Sequence, residues 1–282
     1  MSRIAYVNGR YLPLREAAVH VEDRGYQFAD GVYEVIGFVG GRLIDESPHL
    51  DRLDRSLGEL SIAWPVSRRV LQLVMKTLIR RNGFADGILY MQITRGVARR
   101  DHAFPAGVAP SLVMTVRRSK PVPAALLANG AAVVTIPDIR WQRCDIKSVS
   151  LLPNVLGKQA ARQAGAYEAW MVDGQGRVTE GTSTNAWIVT ADGELVTRHL
   201  ENAILSGITR AAILRLAQDA GLTVCERPFT AAEAKAAREA FLTSTTSYVL
   251  PVVSIDGEPV GNGRPGSVAL GLRAAYLRAV PA

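Results

Sequence analysis

Apolar and polar positions alternate in short runs along this chain, and several runs come in pairs. Residues 4–7 and 11–14 flank Asn8-Gly9, a dipeptide suited to the positive φ angles of a tight hairpin turn. Residues 33–39 and 42–44 flank Gly40-Gly41, 169–172 and 177–179 flank Asp173-Gly174-Gln175-Gly176, and 184–190 and 194–197 flank Asp192-Gly193. Residues 88–95, 111–117, 131–136, 241–243 and 249–255 predict further strands. Elsewhere the period lengthens to that of a helix. Ser47-Pro48 opens one segment, and Leu50, Leu53, Leu57 and Leu60 line one face of it, with Arg52 on the polar side. Ser67 caps a second, with Val70, Leu71, Val74, Leu78 and Ile79 apolar and Gly83 as its stop. Residues 154–166, 207–220 and 267–280 predict three more.

Hairpins mixed irregularly with helices, and no repeat of fixed period, argue for an α+β fold rather than a doubly wound sheet. The breaks point to two domains. In Arg118-Ser119-Lys120-Pro121-Val122-Pro123, two prolines at alternate positions stiffen the chain and end any element. The expected division is a smaller N-terminal α+β domain over 1–118, a linker over 119–123, and a larger C-terminal α+β domain over 124–282.

The formal charge of +7 invites a nucleic-acid reading, but the basic residues are scattered doublets with no interleaved aromatics. The charge is read as solubility plus one or more anion sites. Two cysteines, Cys144 and Cys225, far apart and outside any CxxC, fit a reducing compartment. The first residues lack the apolar stretch of a signal peptide, and no run approaches the ~18 apolar residues of a membrane span, so the expectation is a soluble, cytoplasmic protein.

One stretch carries the most chemistry: Cys144-Asp145-Ile146-Lys147-Ser148-Val149-Ser150, between a strand and a helix. A lysine among mostly apolar neighbours is either an ordinary solvated side chain or a desolvated amine able to attack a carbonyl and hold a Schiff base. An anionic Schiff-base cofactor would need partners, and four are present. Ser206-Gly207-Ile208-Thr209 opens a helix whose first N–H groups suit an anion, although an ordinary helix cap reads the same way. Ser244 and Thr245 offer hydroxyls, and Arg52 a charge. Glu180 would keep a pyridine nitrogen protonated, or is simply a loop glutamate before a Ser/Thr turn. Arg100 and His102, two apart in a Gly- and Pro-rich loop, point the same way if that loop is extended, and together suit a carboxylate.

Seven pieces occur in order over nearly the whole chain: Asp23-Arg24-Gly25-Tyr26-Gln27-Phe28-Ala29-Asp30-Gly31-Val32-Tyr33-Glu34; His49-Leu50-Asp51-Arg52-Leu53; Arg95-Gly96 through His102-Ala103-Phe104-Pro105; Cys144 to Ser148; Thr179 to Asn185; Ser206 to Arg210; and Ser244 to Ser247. Together they resemble the class IV, pyridoxal-phosphate-dependent aminotransferases of fold type IV, and within them the D-amino-acid branch. The resemblance implies a two-domain α+β homodimer with its active site between the domains. It implies that Lys147 forms the Schiff base with pyridoxal 5'-phosphate; that Arg52, Ile208, Thr209, Ser244 and Thr245 hold the phosphate; and that Glu180 pairs with the pyridine nitrogen. Tyr33, Arg100 and His102 then form a substrate-carboxylate trap, the arginine and histidine reaching in from a partner subunit. Pro153 and Tyr248 depart from the family pattern.

The implied reaction moves an amino group between a D-amino acid (D-alanine, D-glutamate) and a 2-oxo acid (2-oxoglutarate, pyruvate). Three alternatives stay open: a branched-chain L-amino-acid aminotransferase, against which the Arg100-x-His102 pair argues; an aminodeoxychorismate lyase on the same scaffold; and a basic, non-catalytic nucleic-acid binder.

Overall fold

A computed structural model describes residues 3–280. Its contacts divide the chain into two compact units. The first runs to Lys120 and also takes in Ile146–Ser150; the second comprises Pro121–Asp145 and Leu151–Val280. The outermost residues of the two expected domains, 1–2 and 281–282, lie outside the described residues.

In the first unit the Asn8-Gly9 turn joins β1 (Ile4–Val7) to β2 (Arg10–Pro13), and both turn residues take positive φ. A five-residue helix, α1 (Arg24–Phe28), leads into β3 (Gly31–Val39) and β4 (Arg42–Leu43). Then come α2 (Glu46–Glu59), α3 (Arg68–Asn82), β5 (Gly87–Thr94) and β6 (Ser111–Arg118). Among the described residues these strands form one antiparallel six-stranded sheet, ordered β2-β1-β6-β5-β3-β4. The predicted leucine stripe holds: Leu50, Leu53 and Leu57 are buried, packed with Val32, Ile36 and Phe38 of β3 and with Leu71, Met75 and Leu78 of α3. Each such side chain is worth about 1.5–3 kcal/mol of burial. Leu60 falls just beyond the helix as its C-cap.

The second unit contains α4 (Ala124–Asn129), β7 (Ala131–Pro137), α5 (Leu152–Gln163), β8 (Glu168–Val172), β9 (Val178–Gly181), β10 (Asn185–Val189) and β11 (Leu195–Thr197). It continues with α6 (Ile208–Asp219), β12 (Val224–Glu226), α7 (Ala231–Lys235), β13 (Glu239–Ser244), β14 (Tyr248–Ile255), β15 (Glu258–Pro259) and α8 (Ser267–Ala279). Among the described residues its strands follow the order β12-β11-β10-β13-β14-β7-β8-β9, with β15 on β14. The sheet is mixed, because β7 runs parallel to both β14 and β8. One core holds Trp170, Ile188 and Leu242; a second packs Trp187, Phe241 and Val249 on α6 and α8.

Helix α8 is capped from outside. Its N-cap, Gly266, brings no side chain, and the Glu239 carboxylate accepts instead from the N–H groups of Val268 (3.1 Å) and Ala269 (3.0 Å). Anionic oxygens suit a helix N-terminus both as acceptors and as charge. A Cβ on residue 266 would lie 1.9 Å from the Glu239 carboxyl carbon, so only glycine lets the carboxylate in. Glu239→Ala strands these donors, of which the Ala269 N–H is buried, and should cost about 1–3 kcal/mol. Thermal melts of the two proteins check it, and an unchanged midpoint contradicts the assignment.

Residues 146–150 differ from the sequence expectation, which placed them within 124–282. Val32 and Ser148 form an antiparallel bridge, the Tyr33 N–H donates to the Lys147 carbonyl (3.0 Å), and the Val149 N–H donates to the Gly31 carbonyl (3.0 Å). Ile146 joins the apolar core of the first unit. The open edge of β3 therefore captures a short segment that lies more than 100 residues later in the chain.

Candidate active site

That capture fixes Lys147. Its backbone is pinned on both sides by β3, its own N–H reaches Ser56 Oγ of α2 at 3.3 Å, and its Nζ lies 4.2 Å from the centroid of the Tyr33 ring. The Tyr33 ring stacks in turn on Tyr90 (5.9 Å, 30°). Burial, with the neighbouring Tyr33, pushes the Tyr90 phenol up to about 12, so it stays neutral, donating to Gln92 Oε1 at 2.6 Å.

The inward face of β3 carries one charge, Glu34, between Val32 and Ile36, and it is fully buried. Such a carboxylate needs a cation, and α2 delivers one. Arg52 donates through Nε to one Glu34 oxygen and through a terminal nitrogen to the other, both at 2.8 Å. His49, one turn earlier, places Nδ1 2.8 Å from Glu34. The sequence reading put Arg52 on the polar side of α2; the structure buries it, 7% exposed, because Glu34 supplies its counter-charge.

Burial alone would raise the Glu34 carboxyl, but the Arg52 charge and hydrogen bonds, with His49, outweigh it and hold the carboxyl at about 2. Burial lowers His49 despite Glu34, with help from the charges of Arg52 and Lys147, so the ring is neutral and donates its Nδ1 proton. Because the folded carboxyl is depressed below its ordinary 4.5, Glu34 stabilises the fold fully above about pH 4.5. That contribution is lost as pH falls toward 2. The stability advantage of the wild type over Glu34→Gln should therefore be greatest near neutrality and shrink through that window. Denaturant unfolding at several pH values measures it; a difference that grows in acid contradicts the pairing.

In the second unit Glu180, on β9, is 6% exposed and is held at both oxygens. Arg140 makes an ion pair with Oε1, while Asn185 Nδ2 and the Leu205 N–H each donate to Oε2 at 3.1 Å. Arg140 is itself braced by Asp138 (2.7 Å) and by the Ala203 carbonyl (2.9 Å). Burial opposes the Arg140 charge, but the Asp138 hydrogen bond and the Glu180 and Asp138 charges overcome it, so its pKa rises. Sequence reasoning missed Arg140. Its signal was Asp138-x-Arg140 directly after a strand.

The β9–β10 turn is set by Glu168, a fully buried carboxylate that accepts from the hydroxyls of Thr182, Ser183 (3.1 Å) and Thr184 (3.4 Å). Asn185 also donates to the Leu205 carbonyl at 3.0 Å. A Cβ on Gly207 would lie 2.0 Å from Asn185 Oδ1. The close approach brings the start of α6 to the strand end that carries Glu180. Ile208 and Thr209 are the first residues of α6, and Gly207 provides no side-chain cap for their N–H groups. Asn185 pairs with Thr243 of β13, so Ser244 and the turn residue Thr245 follow at the same end of the sheet, with Ser244 Oγ 2.7 Å from Ser247 Oγ.

Arg100 and His102 are exposed and lie against Phe28 of α1, the guanidinium carbon 4.5 Å from the ring centroid and the imidazole at 5.5 Å. Among the described residues neither forms a hydrogen bond, ion pair or ring contact with Tyr33 or Lys147. Pro153 sits in the first turn of α5, where its missing N–H costs nothing. Tyr248 takes a positive φ of 59° and packs on Tyr276 of α8 at 5.4 Å.

The first unit thus holds a lysine fixed beside an aromatic ring, and the second a buried carboxylate held at both oxygens and a helix start without a side-chain cap. Comparisons with known proteins identify the family. The family model for amino-transferase class IV matches residues 31–255. The chain belongs to the class IV aminotransferases. It is 42% identical to a D-alanine aminotransferase of Bacillus licheniformis, over 97% of this chain and 95% of that one. It is 40% identical to the D-alanine aminotransferase of Staphylococcus haemolyticus, over 96% and 95%. Among solved structures it is similar to the Escherichia coli branched-chain amino acid aminotransferase, with TM-score 0.91, 25% identity, and coverage of 99% and 94%. The 4-amino-4-deoxychorismate lyase of Pseudomonas aeruginosa shares the fold, with TM-score 0.83, 24% identity, and coverage of 97% and 98%. No helix among the described residues is long and apolar enough to cross a membrane.

Proposed function

We propose that this chain is a pyridoxal-phosphate-dependent transaminase that exchanges amino groups between D-amino acids, D-alanine and D-glutamate among them, and 2-oxo acids such as 2-oxoglutarate and pyruvate. The observation that carries the reading is Lys147, fixed through its backbone by β3 and presented at 4.2 Å from the Tyr33 ring. Lys147 would hold the cofactor aldehyde; Arg52, the first N–H groups of α6 at Ile208 and Thr209, Ser244 and Thr245 would hold its phosphate; Glu180 would face its ring nitrogen. When bound, the cofactor supplies the electron sink that stabilises negative charge at the substrate α-carbon.

The chain's own residues do the rest. The Lys147 amine takes the α-proton and returns it. Glu180, ion-paired with Arg140, would hold a proton on the ring nitrogen. Tyr33, Arg100 and His102 grip the substrate carboxylate and so decide which face presents its hydrogen to Lys147. The protein acts as a homodimer in which Arg100 and His102 of one copy serve the site of the other. Their exposure and their separation from Lys147 in contacts within one chain support this. The Pro121-Val122-Pro123 stretch serves as the interdomain linker, and two free cysteines accord with a cytoplasmic setting.

The test is a substrate comparison with the purified protein. D-alanine with 2-oxoglutarate should give pyruvate, L-leucine should give little product, and without an acceptor pyruvate from D-alanine should stop at one equivalent per site. Preference for L-leucine would make it a branched-chain enzyme; acceptor-independent pyruvate from aminodeoxychorismate would make it a lyase.

A further inference from the structure

The segment bearing Arg100 and His102 is exposed from Arg99 to Phe104 and has no strand ladder of its own. Two buried arginines and one carboxylate nonetheless tie it down. Arg24, the first residue of α1 and 3% exposed, donates through Nε to Asp30 (2.8 Å) and through its two terminal nitrogens to the carbonyls of Asp101 (2.5 Å) and His102 (3.4 Å). Asp30 also accepts from Arg95 through Nε (2.7 Å) and a terminal nitrogen (2.9 Å). Arg95 is fixed to the carbonyls of Leu60 and Ser61, and its guanidinium lies 3.5 Å from the centroid of the Phe104 ring.

Helix α1 is anchored in turn. Asp23 caps it at Gly25, Thr94 Oγ1 donates to Asp23 at 3.0 Å, and the Arg24 N–H donates to the Gly96 carbonyl at 2.9 Å. The far end of α1 presents Phe28, whose ring has the Arg24 guanidinium at 4.8 Å and the Arg100 guanidinium at 4.5 Å. Burial would raise the Asp30 carboxyl, but its hydrogen bonds from Arg95 and Arg24 lower it, so both arginines keep an ionised partner.

We propose that Arg24, held by Asp30, is a positioning residue: it fixes the backbone between Arg100 and His102 and thereby sets how tightly this enzyme grips the substrate carboxylate. The inference rests on the reading of Arg100 and His102 given above. Only a guanidinium reaches three acceptors in one plane; lysine at position 24 keeps a charge beside Asp30 and loses the fork. Bidentate recognition of a carboxylate is sensitive to displacements of about 1 Å, so a loosened segment weakens binding before it affects proton transfer at Lys147.

The experiment is steady-state kinetics of the holoenzyme with D-alanine and 2-oxoglutarate for Arg24→Ala, Arg24→Lys and, as control, Arg100→Met. For both Arg24 variants KM for D-alanine should rise by about tenfold or more while kcat stays within about threefold, the pattern of lost binding. The absorbance of the bound cofactor should be unchanged, and added guanidinium ion should restore part of the KM of Arg24→Ala. If that variant does not fold, Arg24→Lys with the same KM and kcat split decides the matter. A raised KM in Arg100→Met beside unchanged Arg24 variants overturns the positioning role alone. An unchanged KM in Arg100→Met overturns the reading beneath it as well. A fall in kcat matching the rise in KM, with no rescue, reduces Arg24 to a structural residue and contradicts the proposal.

Discussion

Lys147→Ala should lose turnover by about 10⁴-fold or more while the protein stays folded, because on the proposed role the substitution would remove both the amine that joins the cofactor and the group that moves the α-proton. The fold should survive because what ties residues 146–150 to β3 is backbone and Ile146, not the lysine side chain: the Tyr33 N–H, the Val149 N–H and the Val32–Ser148 bridge are indifferent to it. Circular dichroism and a thermal melt report the fold, and single-turnover kinetics with D-alanine report the chemistry. A folded variant that keeps more than a tenth of wild-type turnover removes the lysine from the centre of the account.

Glu180→Gln should lower kcat by about 10²–10³, the cost of removing one fixed electrostatic partner from developing charge. A glutamine keeps the size and still accepts from the Leu205 N–H, but it surrenders the ion pair with Arg140 and, on the proposed role, would no longer hold a proton on the ring nitrogen. Some loss of stability should accompany it, since Arg140 keeps Asp138 as its partner and loses one of two carboxylates. Melting curves and kcat measured on the same preparation separate the two effects. A kcat within threefold of wild type would mean that Glu180 only pins β9 to the start of α6.

Local regularities were readable in the sequence. The Leu50, Leu53, Leu57 spacing, the Asn8-Gly9 turn and the Ser67 cap act within a few residues, and each forms as predicted. Lys147, Glu180, Ile208, Thr209, Ser244 and Thr245 were readable as candidates from type and order along the chain. What holds them was not. Glu34 reads as one polar position in an alternating strand, and its partners His49 and Arg52 arrive from a helix that begins several residues after the strand ends. Arg140 reads as a surface charge in an irregular stretch until a strand more than 35 residues later brings Glu180 to it. Residues 146–150 fall between a strand and a helix of the second unit, and only the part of the β3 edge that β4 leaves unpaired gives them a place in the first. Helix α1, five residues long, is too short for a periodicity to register. These are non-local pairings of buried charge and backbone, and no window of neighbouring residues encodes them.

The most direct measurement is chemical. Borohydride reduction of the holoenzyme, followed by proteolysis and mass spectrometry, fixes the cofactor to whichever amine holds it. The account predicts a single phosphopyridoxyl label, on Lys147. Label on Lys158, Lys120 or any other lysine, or a protein that takes none, would contradict it.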